Sequence, residues 1–225
     1  MKLGQLFLTT VIFMDGQIRI AIDLDDVMLP LVPDLCRYLN ERHWETFGSR
    51  GPEGIQPCHF AKYSLAHAMG WEPGRGLEYI REFEGTPEYA NMEPNRGSVD
   101  AIDFLSQYYE MHVVTRRRDH TRRVTVDCIM RNYPGVYDET RIHVIGGSNG
   151  HLPSKVPKLR EIGASLMLDD HGQIASELAT AGRPVLLMDR PWNSHVKNTD
   201  MIRRVFNWDR VPAAVDQMTS RFRSA

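Results

Sequence analysis

Arg19-Ile20-Ala21-Ile22-Asp23-Leu24-Asp25-Asp26-Val27 is the stretch on which the reading of this chain turns. A short apolar strand ends abruptly in three carboxylates. Parallel strands of α/β proteins present their carboxyl ends along the edge where ligands bind. Carboxylates crowded there repel one another unless a cation neutralises them, and all-oxygen ligation with retained waters is what Mg²⁺ prefers. The blander reading is an acidic turn or helix cap, because Asp commonly caps helices. Asp-x-Asp taken alone leaves the two readings evenly weighted.

Outward from that strand, short runs rich in β-branched residues alternate with stretches of helical period, the pattern of a parallel sheet covered by helices. The runs are Ile18–Ile22, Met111–Val114, Ile142–Ile145, Leu166–Leu168 and Val185–Met188. Between them, Val99, Ile102, Leu105 and Tyr109 share a helical face behind a Ser98 cap, and Val124, Cys128 and Ile129 share another in a helix starting at Asp119. A further helix starts near Ser154, and a last one follows Asp209 with Pro212 in its first turn. From Leu29 to Asn95 there is no convincing strand. Helical faces such as Leu31, Leu35, Tyr38, Leu39 and then Leu77, Ile80, Phe83 are separated by Gly/Pro-rich joints. The chain is therefore expected to divide into a core (residues 1–28 and 96–225) and a small helical cap (29–95) inserted after the first core strand. A long surface excursion with no role of its own is the alternative.

Three later segments complement the first. Val113-Val114-Thr115 puts a hydroxyl at a strand end, Asp169-Asp170 follows Leu166-Met167-Leu168, and Lys155 opens the helix before it. A carboxylate can attack phosphorus and a second can protonate the leaving oxygen. A hydroxyl and an ammonium can hold phosphoryl oxygens, and the remaining carboxylates complete a cation site. Lys158, one helical turn on, competes with Lys155, which lies nearer the active edge.

With Asp23-Leu24-Asp25-Asp26-Val27, Thr115, Lys155 and Asp169-Asp170 in this order, the sequence resembles the haloacid dehalogenase-like phosphohydrolases over nearly its whole length. The resemblance implies a Rossmann-like parallel sheet with helices on both faces. It implies a phospho-aspartyl intermediate on Asp23, with Asp25 as general acid and then general base. It also implies Mg²⁺ held by the Asp23 side chain, the Asp25 backbone carbonyl and Asp169, with Asp170 in support. Glu93-Pro94-Asn95-Arg96-Gly97-Ser98-Val99 and Asp189-Arg190-Pro191-Trp192-Asn193 look like signatures of the 5′-nucleotidase branch, including the deoxyribonucleotidases. Thr115-Arg116-Arg117 departs from that branch's Thr-Ser. It is closer to the Thr-x-Arg of nucleotidase-like relatives and the Ser-Gly-Arg of polynucleotide-end phosphatases. The expected substrate is thus a small phosphorylated metabolite, first a nucleoside monophosphate. A polynucleotide end, a sugar phosphate and a non-catalytic binding module are the alternatives.

Of Arg116, Arg117, Arg118, Arg122 and Arg123, Arg117 is assigned to a substrate phosphate or carboxylate, with Arg116 beside it as a second candidate, and the others to a solvated face. The rings of His43, Trp44, Phe47, His59, Phe60, Tyr63, His67 and Trp71 can sandwich a nucleobase or form the cap's own core. Gly146-Gly147-Ser148-Asn149-Gly150 lacks dinucleotide-loop spacing and reads as a connection near Lys155. His171, beside Asp170, is close to the expected site.

The totals exclude some classes. With 27 basic and 29 acidic residues the net charge is −2, so no global basic excess points to nucleic acid. Cys36, Cys58 and Cys128 form no metal or disulfide spacing and suit reduced thiols in a cytoplasmic protein. Leu6–Met14 is too short to span a bilayer and lacks a cleavage site. It reads either as a strand joined through an Asp15-Gly16 turn to Ile18, or as sequence preceding a true start at Met14.

Overall fold

The computed structural model describes residues 17–147 and 153–223. The expectations for Leu6–Met14 and Asp15-Gly16, and for Ser148 to Gly150, lie outside the described residues. Six strands form one sheet: β1 (Arg19–Ile22), β2 (Glu110–Arg118), β3 (Ile142–Gly146), β4 (Ala164–Asp169), β5 (Val185–Met188) and β6 (Ile202–Val205). Every pairing is parallel, in the order β3-β2-β1-β4-β5-β6. Strand order reverses at β1, so the crevice between the carboxyl ends of β1 and β4 is the topological switch point where such sheets bind ligands.

Alternation along the strands explains why helices cover both faces. Ile20, Ile22, Val113, Leu166, Leu168, Leu186 and Met188 point into one apolar cluster, and Ala21, Val114, Met167, Val185 and Leu187 into a second. Helices α1 (Leu31–Arg42), α2 (Trp44–Phe47), α3 (Leu65–Met69), α4 (Leu77–Glu84) and α5 (Pro87–Ala90) all fall between β1 and the next core helix, α6 (Ser98–Ser106). α6, α7 (Arg122–Asn132) and α10 (Val211–Arg223) add side chains to the first cluster. α8 (Val156–Glu161) and α9 (Gly172–Thr180) add theirs to the second.

The excursion from β1 to α6 leaves and returns at one place. The Asn95 backbone N–H donates to the Met28 carbonyl and its Nδ2 to the Val27 carbonyl, both at 2.8 Å. Trp208 Nε1 also donates to Val27 at 3.0 Å, so the neck is tied to the core. No described helix is long and apolar enough to cross a membrane.

Several details differ from the sequence reading. β2 continues past Thr115 to Arg118, with a register shift against β3 between those residues. Thr115 still lies at the sheet's carboxyl edge, because β1 stops at Ile22 opposite Val113. Ser98 does not cap α6: Gly97, at φ 79°, holds that position, and Ser98 Oγ shares a hydrogen bond with the Tyr133 hydroxyl. Val99 is exposed, while Ala101, Ile102 and Leu105 carry the buried face. A short 3₁₀ turn (Asp119–Thr121) precedes α7. β6 is an added strand whose inner positions are Arg203 and Arg204, so its apolar signal is weak.

Candidate active site

Asp23 follows directly on β1, and its backbone N–H bonds the Leu168 carbonyl of β4 at 2.8 Å. That bond fixes the loop to the neighbouring strand, at whose end Asp169 stands. The Leu24 N–H donates to Asp23 Oδ1 at 2.8 Å, setting the carboxylate's rotamer. Lys155, only 1% exposed and at the N-cap of α8, reaches Asp23 Oδ2 at 2.9 Å and Asp169 Oδ2 at 2.8 Å. The His171 N–H donates to the other Asp169 oxygen at 2.8 Å. Lys158, the competing lysine, instead pairs with the exposed Glu161.

Electrostatics here are strained in one direction. Burial pushes the Asp23 carboxyl up to about 6, against the pull of Lys155 and with further push from Asp169 and Asp25. Burial likewise raises Asp170 well above the carboxylate range, helped by Asp26, Asp169 and Asp23. Burial opposes the Lys155 charge, yet Asp169 and Asp23 outweigh it and leave its pKa raised. Oxygens of Asp23, Asp169 and Asp170 lie within 4.8 Å of one another. A hard, all-oxygen, mutually repelling donor set of this size fits Mg²⁺.

Asp170 is aimed by the motif after β5. Trp192 Nε1 donates to its Oδ2 at 2.8 Å, and Asn193 Nδ2 to its backbone carbonyl at 2.7 Å. Arg190 donates through Nε and Nη2 to the Asp26 carbonyl. Asp26 stands in the left-handed region at φ 57°, which Asp tolerates better than most residues. Its Oδ1 receives the Val32 N–H of α1 at 3.0 Å, and among the described residues Oδ2 is buried with no partner in hydrogen-bonding geometry, Tyr63 lying nearest to that role. Burial pushes this carboxyl up to about 7, the Val32 bond opposing.

A cavity of about 310 Å³ opens above this cluster. Its lining includes the polar Asp23, Asp25, Thr115, Arg116, Arg117, Arg118, Asp170 and His171 and the apolar Leu31, Leu35, Phe60, Tyr63, Ile80 and Phe83. Of the eight rings singled out in the sequence, Phe60 and Tyr63 face the cavity. His43, Phe47 and Trp71 pack against one another and Tyr79 as core. Trp44 and His67 are exposed and His59 half-buried.

Arg122 and Arg123 lie exposed, as expected, whereas Arg117 and Arg118 do not follow the expectation. Arg117 is forked onto Asp25, Arg118 pairs with Glu84, Arg122 with Asp119 and Arg123 with Asp127. Arg116 lines the cavity and makes no ion pair among the described residues. Thr115 Oγ1 accepts the Arg117 N–H at 3.2 Å. Sequence reasoning missed that Trp192 and Asn193 hold Asp170; only the nucleotidase-like signature hinted at them. It also missed Tyr89, which carried no signal beyond its ring.

Fold and site together define the class: a doubly wound α/β enzyme with an acidic cluster and a buried lysine at its switch point. No family model matches the chain. A nucleotidase of Clostridium acetobutylicum is 39% identical over 146 residues, covering 63% of this chain and 71% of that protein. A haloacid dehalogenase-like hydrolase from Xanthomonas campestris superposes with a TM-score of 0.59 at 15% identity, covering 92% of this chain and 98% of that one. A related hydrolase from Deinococcus radiodurans, with bound phosphate and sodium, gives 0.56 at 13% identity, covering 91% and 97%. The fold is that of the haloacid dehalogenase-like hydrolases, and the chain belongs to the family of the Clostridium nucleotidase, an enzyme of phosphatase type.

Proposed function

We propose that this phosphatase is a Mg²⁺-dependent, cytoplasmic enzyme that dephosphorylates nucleoside monophosphates, with residues 29–95 acting as the cap over its substrate. The observation that carries the reading is Lys155 bridging Asp23 and Asp169 at the floor of an apolar-walled cavity. An Asp23 oxygen attacks phosphorus as the bond to the leaving oxygen breaks, and Asp25 gives that oxygen its proton. Asp25 then takes a proton from water, whose oxygen attacks phosphorus and frees Asp23. Thr115, Lys155 and Arg116 bind the phosphoryl oxygens. Asp23, Asp169, Asp170 and the Asp25 carbonyl would hold Mg²⁺, which supplies charge neutralisation for the transferring group.

The leaving-group assignment rests on cavity size and wall chemistry. A volume of about 310 Å³ lined by Phe60, Tyr63 and aliphatic side chains suits a nucleoside better than a small sugar. The name of the Clostridium relative points the same way. Pairing of Arg118, Arg122 and Arg123 with carboxylates removes the basic track that a polynucleotide end would need. Phosphate release across nucleoside monophosphates, sugar phosphates and phosphorylated oligonucleotides tests the assignment. Preference for the mononucleotides is expected; equal or better turnover of the other two groups would overturn it.

A further inference from the structure

The sequence reading directs Arg117 to the substrate, but its guanidinium is engaged elsewhere. Nε lies 3.0 Å from both Asp25 oxygens, and Nη2 lies 2.7 Å from Oδ1. Nη1 reaches Thr125 Oγ1 on α7 at 3.3 Å, and the guanidinium carbon sits 4.4 Å over the ring of Tyr89 on α5. The Arg117 side chain is 3% exposed and that of Asp25 15%. A substrate phosphate would have to displace the Asp25 carboxylate to reach this group, at the cost of two buried charge-assisted bonds. Arg116 and Arg117 both line the cavity, and Arg116 has no carboxylate to release among the described residues.

A carboxylate on a loop has two free torsions, and both must be fixed for one oxygen to meet the leaving atom and then water. A planar guanidinium held by a ring face and a hydroxyl fixes both, whereas an ammonium is a point charge with rotating donors. We propose that Arg117 is the positioning residue for Asp25, with the Tyr89 ring holding the guanidinium in plane, and that it does not bind the substrate. This rests on the reading of Asp25 as the proton-transferring group of a phosphatase.

The test is Arg117→Lys, which keeps the charge and loses the fork. A misplacement of about 1 Å costs about 100-fold in rate, so kcat for a nucleoside monophosphate should fall ~10–100-fold while KM stays within about 3-fold. In an Asp25→Asn background, Arg117→Lys should change first-turnover p-nitrophenol release from p-nitrophenyl phosphate by less than about 3-fold, because the group it aims is already disabled. Tyr89→Leu retains both partners and removes the ring face, together with the hydroxyl's bond to Thr121 and the ring contact with Phe83, so it serves even if Arg117→Lys fails to fold. It should lower kcat in the same sense by a smaller factor, and an unchanged kcat would count against the proposal. A raised KM with intact kcat in Arg117→Lys would make the guanidinium a substrate ligand and overturn it. Losses that multiply with Asp25→Asn would overturn it too, by separating the two residues. Absence of phosphate release by the wild-type enzyme would refute the underlying phosphatase reading instead.

Discussion

Lys155→Met removes a buried ammonium while keeping its apolar length, and the structure gives the size of the effect. At 2.9 Å and 2.8 Å, each Lys155–carboxylate pair has a Coulomb attraction of about 6 kcal/mol at an effective dielectric of about 20. Burying the ammonium offsets much of that sum, and breaking buried pairs by removing one partner typically costs about 3–5 kcal/mol. The loss depends on pH, with a sign that follows from Asp23. Its carboxyl, already pushed up to about 6 with Lys155 present, rises further without it. At pH 5 the variant protonates Asp23 and relieves the repulsion with Asp169; as pH rises that protonation costs progressively more, so less of the repulsion is relieved at pH 8. Urea unfolding in EDTA should therefore show a loss of about 3–5 kcal/mol at pH 8 and a clearly smaller one at pH 5. A loss below about 1 kcal/mol at pH 8, or one equal at both pH values, would refute the picture of a lysine holding two carboxylates together.

Two further outcomes follow from other contacts. Trp192→Phe removes the donor to Asp170 Oδ2 and should weaken Mg²⁺ binding about 10-fold, read as the Mg²⁺ concentration that half-maximally raises Tm; an unchanged midpoint would remove Trp192 from that role. Away from the acidic cluster, half-buried His143 on β3, 3.2 Å from His112, is pushed down to about 4 by burial, His112 and Lys158. Between about 4 and its ordinary 6.5 the unfolded chain takes the proton that the folded one refuses, so stability falls as pH drops through that window. His143→Gln should flatten the fall by about 1–2 kcal/mol after allowance for exposure; identical pH profiles would refute it.

The parts of this protein legible in its sequence are those where one segment carries its own signal. Arg19 to Val27 announces a strand and its acidic end, because the apolar residues and the carboxylates are adjacent. The helical excursion from Leu29 to Asn95 was equally open to reading, since no strand pattern interrupts it. Lys155 separates from Lys158 on position alone: the first residue of a turn faces the sheet edge, and the second pairs with Glu161 one turn on. What stayed hidden depends on partners distant in the chain. Arg117 and Asp25 are 92 residues apart, and Trp192 and Asp170 are 22 apart, so local pattern cannot pair them. β6 was hidden because Arg203 and Arg204 interrupt its apolar signal, Arg204 turning to Asp189 and Asn193. The aromatic residues of the excursion divide between its own packing and the cavity wall, and only the folded chain separates Phe47 from Phe60.

The most direct measurement is a rapid acid quench of the enzyme during turnover, followed by peptide mass spectrometry. One phosphoryl group on the peptide containing Asp23, absent in Asp23→Asn, is the expected result. A wild-type enzyme that turns over substrate while Asp23 stays unmodified, or an Asp23→Asn variant that remains active, would contradict the account.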